Sequence, residues 1–138
     1  MSPGSNLQAE RWRLADRLEH RLQSSLLLLR EAASRGDLDG IAQYGGDVSR
    51  RARALVACCA VGDAARSTVR DVLAEWMGGL ARWSEEEGEV VVVEAPPGHE
   101  PPEAAEFGEP LVRLLAAEGG GELLSWSDSR AVLRLPSN

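Results

Sequence analysis

The chain has 138 residues and no lysine; all 15 of its basic residues are arginine. That absence excludes Schiff-base chemistry on a lysine amine and a phosphate loop of the Gly-Lys-Ser/Thr kind. Aromatic residues are also scarce, at 4% of the chain, so aliphatic side chains and alanine must carry the packing. Cysteine is confined to the adjacent pair Cys58 and Cys59 in "LVACCAV". Neighbouring cysteines rarely bridge each other, and this apolar setting predicts two buried thiols. With no disulfide framework and no metal-ligand spacing, a reducing cytoplasm is the expected compartment. No apolar run approaches the ~20 residues needed to span a bilayer, so no membrane association is expected. "MSPGSNLQAERWR" lacks the apolar core of a secretory leader. An excess of positive charge is missing too. The formal net charge is −7, which argues against nucleic acid as a partner, because such binding runs on a positive surface.

What is present is helical signal. A first helix is expected from about Asn6 to about Ser34, a stretch free of glycine and proline and rich in good helix formers. "SRGD", residues 34–37, reads as a tight turn, with Gly36 closing one helix and Asp37 capping the next. A second helix is expected from about Leu38 to Val61. Its residues Ile41, Gly45, Val48, Ala52, Leu55 and Cys59 alternate by four and three, the spacing of a coiled-coil seam. Two long helices joined by a short turn form an antiparallel hairpin with one apolar seam and little to bury it against. Pairing two hairpins solves that, so a homodimeric four-helix bundle is expected.

After Gly62 the pattern changes. Thr68 is expected to cap a third helix reaching about Glu86, with Val69, Leu73, Trp76 and Trp83 on one side and the acidic "SEEEGE" as its solvated end. "EVVVVEA", Glu89 to Ala95, is a β-branched run and reads as a buried strand. "PPGHEPPEAAEFGE" reads as a loop. Pro110 suits the first turn of a short helix through about Glu118, ended by Gly119–Gly121. "ELLSW" and "RAVLRLP" then form a hairpin across "SDS". The expected fold class is α+β: residues 1–62 as a dimerising helical hairpin, and residues 63–138 as a small α/β domain.

On a wheel of about 100° per residue, Leu14, Leu18, Leu22 and Leu29 share one stripe with Ser25, and His20 falls roughly opposite. An exposed imidazole keeps a nucleophilic nitrogen at neutral pH. Arg17 and Arg21 lie within a turn and could offset charge on a phosphoryl group. Ser24, four residues on, could hold a water or a phosphate oxygen. Arg13, Gln23, Leu27 and Leu28 complete a candidate partner-binding face, with the two leucines as its apolar patch. The bland alternative is a histidine that is merely solvated and leucines that are buried where the hairpin meets the rest of the chain.

These residues also carry a resemblance. "HRLQSSL", His20 to Leu26, resembles the phosphoacceptor box of histidine kinases, in the branch that reads H-R-[VL]-[KQ]-N-N-L. His20, Arg21, Leu22 and Leu26 match, and Gln23 is a permitted variant; Ser24 and Ser25 stand where that branch has asparagines. "STVRDVLAEWMGGLARWSEEEGEVVVVEAPPG" is similar to the opening helix and strand of the kinases' ATPase domain, and "PLVRLLAAEGGGELLSWSDSRAVLRLP" to its closing helix, diglycine and terminal hairpin. The middle of that domain has no counterpart: there is no Asp-x-Gly-x-Gly, no glycine-rich lid, and asparagine occurs only at Asn6 and Asn138. The loop in its place carries Glu100, Glu103, Glu106 and Glu109 with no basic residue between Arg82 and Arg113, and would repel ATP.

Taken together, the resemblance implies a dimeric histidine phosphotransferase with an abridged ATPase-like domain, not an ATP-dependent kinase. His20 would accept a phosphoryl group from the aspartate of a response-regulator receiver domain and pass it on, with Arg21 and Ser24 assisting. No intrinsic cofactor is implied; Mg2+ would sit on the partner receiver. The competing expectation is a non-catalytic dimeric module that binds and regulates a histidine kinase or response regulator, and a third is a structural dimer that shares only ancestry with kinases. His99, in a loop without another histidine or cysteine nearby, is not expected to bind metal. Ser125, Ser127 and Asp128 are explained by turn chemistry.

Overall fold

A computed structural model describes residues 3–77, 81–86, 89–98, 108–127 and 129–136. His99, Glu100, Glu103, Glu106 and Asp128, named above, lie outside the described residues. The fold is α+β, with four helices and a small four-stranded antiparallel sheet among the described residues.

Helix α1 spans Pro3–Arg35 and, at 1.5 Å per residue, is about 50 Å long. It ends where the turn signal placed it. Gly36 takes the left-handed conformation (φ 67°), its N–H reaches Ala33 O at 3.2 Å, and the Asp37 N–H reaches Ala32 O at 3.0 Å. This pair of bonds satisfies the last carbonyls of the helix. Asp37 then caps α2 (Leu38–Ala57), its carboxylate accepting from Gly40 N at 3.0 Å. Helix α2 stops at Ala57 and not near Val61. Beyond it the bonds tighten to three-residue spans, Cys59 N to Val56 O and Ala60 N to Ala57 O, and the chain reverses ahead of Gly62 (φ 58°).

Two expectations fail after this turn. Helix α3 spans Gly62–Met77, so Thr68 lies inside it and caps nothing. Asp63 in the first turn complements the helix dipole, and Ala64 and Ala65 favour helix, so the helix starts as soon as the chain leaves the turn. Nor does helix continue to Glu86: Arg82–Glu86 is strand β1, pairing antiparallel with β2 (Val90–Glu94), Trp83 opposite Val93 and Glu85 opposite Val91. The first half of the acidic run, Ser84 to Glu86, is therefore strand, and residues 87 and 88 lie outside the described residues. Its helix-like composition is overridden because the valine run of β2 needs a hydrogen-bonding neighbour on that side.

Helix α4 spans Gly108–Glu118, which puts Pro110 in its first turn, where the missing N–H loses nothing. It ends like α1: Gly120 is left-handed (φ 87°) and the Gly121 N–H bonds Ala116 O at 2.8 Å. Gly121 is required on steric grounds, since a Cβ there would lie 1.8 Å from Arg134 O. Strands β3 (Glu122–Ser127) and β4 (Arg130–Arg134) form the expected hairpin, with a register shift between Leu123 and Ser125. The sheet order is β1-β2-β4-β3, all antiparallel.

Inward residues Val91, Val93, Ala131 and Leu133 pack under α3 and α4, and one apolar cluster joins them to Val69, Leu73 and Leu115. Leu14 and Leu18 of α1 and Ala57 and Cys58 of α2 belong to the same cluster, so the base of the hairpin is rooted in the α/β layer. Arg11 strengthens that root: its Nε donates to Cys58 O at 3.0 Å and it pairs with Glu118 at 2.7 Å.

Candidate functional site

His20 lies on α1 beyond the rooted base. Leu14, Leu18, Ser25 and Ala32 are buried and define the inner stripe of the helix; Leu22 and Leu29, expected in it, are half-buried. His20 is opposite, with its side chain 77% exposed. Outward display therefore follows from the helix itself: the stripe that roots α1 leaves position 20 no neighbour to pack against.

Residues seven and four positions before and after it, Arg13, Asp16, Ser24 and Leu27, form one ridge with His20 along the outer face. Asp16 is the nearest carboxylate, its Oδ2 3.8 Å from His20 Nε2. That is beyond a hydrogen bond and between two exposed groups, so it biases the ring without fixing it. Glu19 points elsewhere and accepts from Gln23 Nε2 at 3.1 Å. Ser24 donates its hydroxyl to His20 O at 3.1 Å. The hydroxyl oxygen remains an acceptor, but donation to a phosphate oxygen would require rotation away from that carbonyl.

The arginines are not equivalent. At about 100° per residue, Arg17 is some 60° around the helix from His20 and Arg21 some 100°. Arg17 is the nearer of the two by angle, and Arg21 projects from the adjoining face. Both are exposed. Leu27, 60% exposed, stands on the ridge with His20, whereas Leu28 lies well to one side. The alternative in which these leucines are buried against the rest of the chain does not hold.

Two features were not singled out from sequence. Trp12 is 70% exposed on the flank of α1 that also carries Leu26, and the spacing of Trp12, Ala15, Leu22 and Leu26 by three, seven and four was the available signal. The other is a cavity among α1, α2, α3 and α4, assembled from residues far apart in the chain, which no local pattern announces.

The cysteines divide. Cys58 is buried as expected, and burial, reinforced by Cys59 and opposed by Arg11, pushes its thiol up to about 11. It stays protonated and inert near neutral pH. Cys59 is exposed, contrary to expectation, because α2 ends before it and turns its side chain outward. Among the described residues no three His, Cys, Asp or Glu side chains gather as a metal site would require, and no helix is long and apolar enough to cross a membrane. No protein-family model, curated protein or solved structure matches this chain.

Proposed function

We propose that this chain is a homodimeric histidine phosphotransferase in which His20 accepts a phosphoryl group from an aspartyl phosphate on a response-regulator receiver domain and passes it to another. The observation that carries the reading is the imidazole itself, 77% exposed on a helix ridge with Leu27 beside it as an apolar docking point. In the first transfer a ring nitrogen attacks phosphorus, a P–N bond forms, and the P–O bond to the aspartyl carboxylate breaks. The second transfer reverses these events on a new carboxylate. Such transfers need positioning and charge neutralisation more than covalent machinery. Arg17 would offset phosphoryl charge, and Arg21 would serve from the adjoining face. Mg2+ would be held by the receiver's carboxylates.

Dimerisation rests on a separate observation. Among residues 19–56, the only buried residues are Ser25, Ala32, Gly40 and Asp47; no large hydrophobe is among them. The seam residues Ile41, Val48, Ala52 and Leu55 are half-buried, and Trp12 and Leu26 stand exposed on the neighbouring flank of α1. A second copy of the hairpin would cover this strip and complete a four-helix bundle. Cys59 is exposed just beyond the end of α2, so mild oxidation should cross-link two copies if a second hairpin lies alongside, and Cys59→Ser should abolish the product.

The decisive experiment incubates the protein with a phosphorylated receiver domain and follows acid-labile, base-stable label. Label should appear on wild type and vanish in His20→Ala; equal labelling of both proteins refutes the assignment. A second reading, a non-catalytic module that binds a kinase or receiver, draws on the engagement of the Ser24 hydroxyl by its own helix. It predicts full activity in cells carrying His20→Ala and loss in Leu27→Glu.

A further inference from the structure

The cavity between the hairpin and the α/β layer has a volume of about 340 Å³. That is within the range of small-molecule sites, roughly 300–1,000 Å³. Its apolar wall comes from Leu18, Ala54, Ala57, Val72, Trp76 and Leu111. Along α2 its lining extends from residue 50 to residue 57, a rise of about 10 Å. Trp76 and Leu111 belong to the α/β layer, and Arg51 to the hairpin side. The wall is thus mostly apolar, with Arg50, Arg51 and Arg53 on the hairpin side and the carboxylates of Asp71 and Glu75 on α3.

The charges are unequally matched. Arg50 pairs with Asp47, and Arg53 pairs with Glu75 at 3.0 Å. Arg51 has no carboxylate partner among the described residues. It donates from Nη1 to the buried hydroxyl of Ser25, and its Nε is buried with no acceptor. A guanidinium half withdrawn from water, with no carboxylate to balance its charge, gains from an incoming anion. Asp71 on the wall is exposed and disfavours a second negative charge on the ligand. A monoanion suits the site; a phosphate dianion does not.

We propose that this cavity binds a medium-chain alkyl monocarboxylate, its carboxylate on Arg51 and its chain running along α2 toward Trp76 and Leu111. The proposal is independent of any chemistry at His20. Such a ligand would join the hairpin to the α/β layer by touching α1, α2, α3 and α4 at once.

Trp76 supplies the readout, because a bromine atom beside an indole quenches its fluorescence. Decanoate brominated at its terminal carbon is titrated into the intact protein, with the equally brominated decanol as the uncharged control. Saturable quenching is expected below the concentration at which the acid self-associates, with the acid binding about tenfold or more tighter than the alcohol. Arg51→Gln should reduce the acid to the affinity of the alcohol and leave the alcohol unchanged. Ala54→Phe should fill the cavity and weaken both, and Trp76→Phe should remove the quenching while calorimetry still records binding. Equal affinity of acid and alcohol for wild type overturns the proposal without recourse to any variant. So does the absence of saturable quenching, or quenching that persists undiminished in Trp76→Phe.

Discussion

The far half of the hairpin and the α/β layer are built on opposite terms. In the layer, Val69, Leu73, Val93, Val112, Leu115 and Leu133 are each completely enclosed. Beyond Leu18 the hairpin interior holds Ser25, Ala32, Gly40 and Asp47 instead, with Arg51 bonded to Ser25 and Arg50 to Asp47. Enclosing a leucine contributes about 1.5–3 kcal/mol, whereas a polar pair withdrawn from water contributes little net stability. The layer therefore closes on itself within one chain. The far hairpin leaves its larger aliphatic residues half-covered, which is the physical reason to expect a second copy there.

That contrast can be broken by substitution. The largest effect should come from Leu115→Asp, which places an unpaired charge in the enclosed core. A loss of ~4 kcal/mol or more is expected in urea titrations, a large share of the stability of a typical domain. Leu29→Asp, at a half-buried position in the far hairpin, should destabilise the isolated chain far less. If the two are equally damaging, the distinction between the regions fails.

Next in size, Val48→Glu should weaken self-association at least about tenfold, equivalent to ~1.4 kcal/mol, and shift the solution mass from two copies toward one. Its circular dichroism should stay that of the wild type. A wild-type mass that is already monomeric would leave the half-covered strip without the occupant proposed for it.

A pH-dependent effect attaches to the junction between the regions. The Cys58 thiol is pushed above its ordinary 9.0 to about 11 by burial. The unfolded chain therefore loses this proton first as pH rises, and folding stability should decline between about pH 9 and 11 and not below. Denaturation midpoints across that range test it, with Cys58→Ala expected to flatten the dependence. The smallest effect is expected on the exposed ridge: His20→Ala should change stability by no more than ~0.5 kcal/mol while eliminating phosphoryl transfer.

Both helix-closing turns were legible beforehand, because Gly36 followed by Asp37, and Gly119–Gly121, carry their geometry in the residues themselves. The outward direction of His20 was legible too, since the stripe of Leu14, Leu18 and Ser25 fixes the inside of the helix. Strand β1 was not. Its "RWSEE" has no β-branched residue and no clean alternation, and becomes a strand only because β2 lies alongside it. The start of α3 was misplaced for a related reason: Thr68 is a good cap in isolation, but Asp63 and the alanines had already begun the helix.

The candidate site divides in the same way. His20, Ser24 and Leu27 are neighbours by helical spacing, so one short segment of sequence determined their ridge. The cavity brings Arg51, Leu18, Trp76 and Leu111 together from four helices, and nothing local relates them. Periodicity along one helix determines which side chains share a face, because that geometry repeats every 3.6 residues. Only the tertiary packing of the hairpin against the α/β layer decided which of the three arginines lining the cavity lacks a carboxylate and which apolar surfaces were left to enclose a space.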